Sequence, residues 1–230
     1  MFENAMKFLD KGPSKLENLA TLSSPYFSSA EDMERIVSKT PNLQKLRCIF
    51  DKSWGRGKNG SRFPVLDSLT QLETLKVLFF SIPKMIPSGL NFPLSLKKLS
   101  LCNFPLELAG ILTIAQLPTL YVLKLQQVDF ERNEWEVRDD EFPQLKFLKL
   151  ENLNLSKWRA SDEAFSRLER LVLHRCSYLR EIPSRFGDMD YLQHIEVKSC
   201  NQSAVDSAME IRETQVEMLQ RCGFKVFIQQ

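Results

Sequence analysis

No apolar run in this chain approaches the ~18–20 residues that a membrane-spanning helix needs. The opening MFENAMKFLDKGPS lacks the long apolar stretch of a secretory signal. An excess of one charge is missing too. Lys and Arg total 31 against 29 Asp and Glu, a formal net charge of +2, so bulk charge gives no argument for nucleic acid. Five cysteines, with no paired positions near the ends, do not make a disulfide framework. The rest is ordinary for a soluble domain with a large core: 43% hydrophobic and 26% charged residues.

Convergent chemistry is equally scarce. Gly55-Arg-Gly-Lys-Asn-Gly60-Ser61-Arg62 has the look of a phosphate loop, but the order G-x-x-x-x-G-K-[ST] fails where Ser and Arg follow Gly60. It reads as a flexible basic insertion. The two histidines, His174 and His194, lie near Cys176 and Cys200. A zinc site would need all four to converge on one point, and their register opposes that. No Ser–His–Asp or Cys–His arrangement can be assembled. Trp54, Trp135 and Trp158 read as buried or loop anchors. The acidic cluster Glu131, Glu134, Glu136, Asp139, Asp140 and Glu141 reads as a solvated loop. Three N-x-S sequons, at Asn59, Asn154 and Asn201, read as chance in a chain with no signal peptide.

What the chain has is repetition. The pattern L-x-x-L-x-L, with a further apolar or Cys position close behind, occurs eight times. Leu96, Leu99, Leu101 and Phe104 form one copy. Leu120, Leu123, Leu125, Val128 and Leu145, Leu148, Leu150, Leu153 follow. Leu168, Leu171, Leu173, Cys176 and Leu192, Ile195, Val197, Cys200 complete the set, with looser copies starting at Leu16, Leu43 and Leu72. The starts are 23 to 29 residues apart. That period and pattern mark leucine-rich repeats. Leucines at alternate positions suit a short strand with one buried face. One unit cannot bury them alone, whereas stacked units can, with their strands in parallel. The predicted fold is therefore an α/β leucine-rich repeat solenoid, a horseshoe of about eight repeats with a concave parallel sheet.

The segments between repeats agree. Leu179, Ile182 and Phe186 turn inward, with Pro183 and Gly187 as punctuation. Pro41, Pro118 and Pro143 each stand two residues before a first Leu, at the entry to a strand, where a missing N–H does no harm. Residues 1–201 are assigned to the repeats and 202–230 to a C-terminal cap, within one continuous domain. The cap is predicted as a helix from Ser203 to Arg221, with Ser203 and Asp206 as a capping box. Val205, Ala208, Met209, Val216 and Leu219 form its apolar face, Gly223 stops it, and Phe224, Val226 and Ile228 alternate as a strand. Phe2, Phe8 and Leu9 resemble the tail of a preceding rung, as if residue 1 were a cut inside a longer protein.

Cys48 replaces an inward strand Leu, and Cys176 and Cys200 share one position of successive repeats, so packing accounts for all three. A Cys176–Cys200 disulfide across neighbouring rungs is geometrically open, but a reducing compartment disfavours it.

Strand residues that alternate with the inward leucines face the concave side. Two columns result. One runs Lys45, Thr74, Lys98, Val122, Phe147, Arg170, His194; the other runs Arg47, Lys76, Ser100, Lys124, Lys149, Val172, Glu196. They form a basic stripe within a nearly neutral protein, suited to an acidic protein patch. The candidate partner-binding residues are Lys45, Arg47, Lys76, Lys98, Lys124, Phe147, Lys149, Arg170 and His174, with Leu78, Val122 and Val172 as further apolar anchors. No catalytic, cofactor-binding or metal-binding residue is assigned.

Several stretches carry a more specific resemblance: KLENLATLSSPYFSSAEDMERIVSKTPNLQKLRC, NFPLSLKKLSLCNF, EFPQLKFLKLENLNLSKWRASDEAF and LERLVLHRCSYLREIPSRFGDMDYLQHIEVKSC. They resemble the repeat region of plant intracellular immune receptors, in particular the coiled-coil nucleotide-binding class of the nightshade family. The chain is similar to late-blight-resistance-type receptors and to related helper receptors. The resemblance implies a cytoplasmic domain that recognises a pathogen effector or a sensor or helper receptor and folds back on a nucleotide-binding switch domain to restrain it. ADP and ATP would belong to that switch domain, since this chain has neither a coiled coil nor a phosphate-binding loop. Two other readings are a standalone repeat adaptor, such as the substrate-binding half of an F-box subunit, and an extracellular decoy or inhibitor.

Overall fold

A computed structural model describes residues 15–55, 61–83 and 85–229, which fall into two compact units, Met1–Pro105 and Leu106–Gln230. Phe2, Phe8, Leu9, Asn59 and the centre of the glycine-containing basic segment lie outside the described residues.

In the first unit, β1 (Thr21–Phe27), β2 (Lys45–Phe50), β3 (Thr74–Phe79) and β4 (Lys98–Cys102) pair in parallel, each with the next. Helix α1 (Ala30–Lys39) links the first two strands, and Ser29 caps it by accepting from the Asp32 amide. β1 bulges between Ser23 and Tyr26, where Ser24 is left-handed (φ 63°) and Pro25 has no N–H to lose. The Glu34 carboxylate in α1 takes both arms of Arg62, at 2.6 and 2.8 Å, and the Val65 amide at 2.7 Å. The charged hydrogen bonds from Arg62 hold the Glu34 carboxyl below its usual range and pin the chain that follows the basic segment.

The second unit repeats the device. It runs α2 (Leu108–Ala115), β5 (Val122–Gln126), β6 (Glu134–Val137), β7 (Phe147–Glu151), β8 (Lys157–Ala160), β9 (Arg170–His174) and β10 (His194–Lys198). Helix α3 (Gln202–Glu213) and β11 (Lys225–Gln229) close it. β5, β7, β9, β10 and β11 form one parallel ladder in that order, and β6 pairs with β8 in a separate small parallel pair.

The consensus positions are the core. From the second repeat on, every consensus Leu, Ile or Val is at most 2% exposed. The first copy starts at Leu19 and not at the expected Leu16, because Leu22 pairs with Leu46 in the ladder; Leu19 and Leu22 are half-buried. One hydrogen-bond pattern recurs at most strand entries within the units: a single carbonyl receives two successive amides of the next rung. Ala20 O takes the Gln44 and Lys45 amides, Gln44 O those of Glu73 and Thr74, and Tyr121 O those of Lys146 and Phe147. Strand exits recur as well. Gln127, Asn152, Arg175 and Ser199, each one residue past a strand, are all left-handed at φ 50–52°.

Two further expectations need correcting. Pro41, Pro118 and Pro143 do stand ahead of the strands, but as second residues of tight turns. The Leu43, Leu120 and Leu145 amides bond back to the carbonyls of Thr40, Leu117 and Phe142. Proline fits there because its ring presets the dihedral that position requires.

The cap helix begins at Gln202. Its cap is Asn201, whose side chain accepts from the Ala204 amide at 2.9 Å, so Ser203 and Asp206 form no capping box. Ala204, Val205, Ala208 and Ile211 face inward, whereas Met209 and Leu219 are exposed. Past Glu213 the helix widens into a π turn over Thr214–Met218. The buried Gln215 amide there donates to the carbonyls of Phe186 (3.3 Å) and Met189 (2.9 Å). The chain reverses at left-handed Gln220 (φ 54°), not at Gly223.

Candidate protein-docking face

The register places every candidate residue on the strand face opposite the leucines. In the first unit Lys45, Thr74 and Lys98 stand side by side, as do Arg47, Lys76 and Ser100. In the second unit Val122, Phe147, Arg170, His194 and Lys225 form one row. Lys124, Lys149, Val172, Glu196 and Phe227 form another. Lys45, Arg47, Lys98 and Arg170 are exposed; Lys76, Lys124, Phe147, Lys149 and His174 are half-buried.

Electrostatically the two units differ. In the first, no carboxylate lies within ion-pair distance of the Arg47 or Lys76 side chain among the described residues. Glu73, at the strand entry, bonds Lys97 at 2.7 Å. That hydrogen bond, with the nearby charges of Lys45 and Lys98, keeps the Glu73 carboxyl below its usual range. In the second unit the cations are answered on the face itself. Lys149 Nζ lies 2.7 Å from Glu151, which also accepts from Gln126 at 2.6 Å. Burial works against the Glu151 charge, but these bonds outweigh it and hold its pKa down. Glu196 accepts from Arg170 at 3.0 Å and lies 2.8 Å from His174 Nε2. Arg47 and Lys76 therefore stand open in the first unit, whereas in the second the cations of β7 and β9 are largely neutralised.

Phe147 lies between two cations, with Lys124 Nζ 5.4 Å and the Arg170 guanidinium 5.8 Å from its ring centre. A cation over an aromatic face is attracted by the ring quadrupole, so part of the charge crowding is relieved within the row. Val172 is only 4% exposed and is covered by its row neighbours, so it offers no anchor. Leu78 and Val122 remain half-open. Phe80, next in line beyond Leu78, is 55% exposed and carries Lys52 Nζ 5.1 Å above its ring.

The motif set missed the cap's share of the face. β11 adds Lys225 and Phe227 to the rows, and Phe227 stacks on the His194 ring at 4.8 Å. The alternation of Phe224, Val226 and Ile228 signalled a strand, but with no consensus leucine its register stayed hidden. Burial lowers the His194 pKa, Arg170 and Lys225 add repulsion, and Glu196 opposes them. Protonation of the ring is thus disfavoured.

The two histidines and two cysteines do not converge. His174 Nε2 meets Glu196 on the open face, whereas Cys176 Sγ points to the Leu150 carbonyl at 3.5 Å. Among the described residues no group of three or more His, Cys, Asp or Glu side chains is placed to hold a metal ion. Trp54, Trp135 and Trp158 are all buried. The acidic cluster is exposed except for Glu141, which is 3% exposed and accepts the Arg138 amide. No helix among the described residues is long and apolar enough to cross a membrane.

The Glu196 cluster predicts a pH effect. The hydrogen bond from His174, then that from Arg170, depresses the folded carboxyl below its unfolded value of about 4.3. The stability this gives is present above that value and lost as pH falls through the lower folded one. Glu196→Gln should lower the urea midpoint near neutrality and flatten the acid limb of its pH profile, so that variant and parent converge as pH falls below about 4.3.

Repeat pattern, strand ladder and buried consensus positions agree with one comparison. The sequence matches the family described as "Leucine-rich repeat region" over residues 4–221. The chain belongs to the leucine-rich repeat family. Among its relatives are two proteins of Solanum demissum. One is a putative late blight resistance protein homolog, R1B-13, 45% identical over 98% of this chain and 20% of its own length. The other is late blight resistance protein R1-A, 45% identical over 94% of this chain and 16% of its own length. The chain thus spans at most about a fifth of the curated relatives it matches.

Proposed function

We propose that this chain is the recognition and regulatory repeat segment of an intracellular plant disease-resistance receptor. The observation that carries the reading is the 45% identity to late blight resistance proteins across nearly the whole repeat array. Its physical counterpart is the basic face of the first unit, where Arg47 and Lys76 stand side by side in one row, Lys45 and Lys98 flank Thr74 in the row before it, and Leu78 follows Lys76 on the same face.

In this reading the face docks an acidic surface of the receptor's own nucleotide-binding switch domain and restrains it. A pathogen effector, or a sensor or helper receptor, competes for the same strands. ADP and ATP belong to the switch domain, the setting is the cytoplasm, and these residues are given no catalytic role. The leucine core holds the face rigid, so docking orders few side chains and little entropy is lost on binding.

Co-expression with a switch domain from this receptor class tests the reading. Co-purification that weakens steeply with added salt supports it, because the contact is between exposed charges. Failure to associate at low ionic strength contradicts it.

A further inference from the structure

Position four is apolar and inert in the first two repeats of the second unit: Val128 and Leu153 fill it, each 2% exposed. The last two repeats carry Cys176 and Cys200 there instead. Their strands pair in register up to His174 and Lys198. Arg175 and Ser199 then turn the same way, at φ 52° and 51°, so the two chains leave the sheet along parallel paths.

The two thiols consequently stack across adjacent rungs. Cys176 Sγ lies 3.5 Å from the Leu150 and His174 carbonyls, and Cys200 Sγ lies 3.6 Å from Leu173 O and 3.4 Å from Lys198 O. Adjacent strands about 4.8 Å apart fall inside the Cα separation, roughly 4.4–6.8 Å, that a disulfide tolerates. Both cysteines are free thiols here.

We propose that Cys176 and Cys200 form a peroxide-responsive dithiol whose oxidation staples the C-terminal cap to the rung before it. The roles follow from access. Cys176 is buried, while Cys200 is half-buried and reachable. The two neighbouring sulfurs interact so that the Cys200 thiol is pushed down and that of Cys176 up, in the same sense as their access. Cys200 is therefore the thiolate that reacts and Cys176 the thiol that resolves.

The steps balance. The Cys200 thiolate attacks a hydroperoxide, the O–O bond breaks, hydroxide (or alkoxide) leaves, and a sulfenic acid remains. The Cys176 sulfur then displaces the sulfenic oxygen, the S–S bond forms, and water carries off that oxygen with the thiol proton. Two thiols have been oxidised by two electrons and the peroxide reduced. Asn201, the cap of α3, directly follows Cys200, so the new bond fixes the start of the cap helix.

The test treats the reduced chain with hydrogen peroxide and maps linkages by mass spectrometry without reduction. A Cys176–Cys200 cross-linked peptide, lighter by two hydrogens, is expected, with a rise in Tm that dithiothreitol reverses. In Cys176→Ala the Cys200 sulfenic acid should persist long enough for dimedone to trap it, and the Tm rise should vanish. Cys200→Ser gives the same loss of the rise if the buried substitution prevents folding. Two results overturn the proposal: Cys200 passing to sulfinic or sulfonic acid while Cys176 stays reduced, or linkage only through exposed Cys222 between copies.

Discussion

Trp158→Ala is expected to lower the unfolding free energy by about 3–5 kcal/mol, the usual cost of emptying a buried aromatic site. Trp158 is 1% exposed and lies parallel to Trp135, at 3° with ring centres 5.5 Å apart. Phe165 and Phe186 meet its plane edge-on at 6.1 and 5.1 Å. Removing the indole strips contacts from three neighbouring return segments at once, and the paired β6 and β8 strands leave little freedom to collapse into the gap. Trp158→Phe separates ring from N–H. The indole nitrogen has no acceptor among the described residues, so Phe keeps most of the packing and removes a buried orphan donor. Its loss should be clearly smaller than that of Ala. Urea unfolding followed by circular dichroism reads both, and equal losses would mean the stack contributes little.

Arg47→Glu with Lys76→Glu is expected to weaken switch-domain binding at least ~100-fold, about 2.8 kcal/mol, while changing stability by no more than about 0.5 kcal/mol. Neither side chain has a carboxylate partner among the described residues, so reversal breaks no ion pair within the chain and puts repulsion where attraction stood. Lys149→Glu with Arg170→Glu is the contrast. Those cations already spend their field on Glu151 and Glu196. Reversal there should weaken binding by less than ~10-fold, about 1.4 kcal/mol, and should cost stability, because carboxylates would then face carboxylates. The wider set Lys76, Lys98, Lys124 and Lys149→Glu should abolish binding. Equal effects from the two double variants would mean that charge acts without regard to place.

Much of this was legible in the chain because a repeat states its rule many times. Leu99, Leu101, Leu148, Leu150 and their equivalents fixed both the period and the buried face, and alternation then placed Lys76 or Phe147 opposite them. What stayed hidden was single-copy information. The neutralising role of Glu151 and Glu196 depends on contacts between neighbouring strands, which a column of residue types does not reveal. The start of α3 at Asn201 competed with a plausible Ser203–Asp206 pair, and only the backbone path decides between them. The stop at Gln220 was unreadable because a glycine three residues on carried the stronger local signal, while the long-range bonds of Gln215 governed the turn. The prolines were placed correctly ahead of the strands, but their part in tight turns needed the carbonyl partners.

The measurement that bears most directly on the docking face is lysine acetylation footprinting of the chain, alone and bound to a switch domain of the receptor class. Protection of Lys45, Lys76 and Lys98, with Lys39 in α1 labelled as in the free chain, is the predicted result. Protection of Lys39 with the three strand lysines still labelled would contradict it and move the interface to the return side of the repeats.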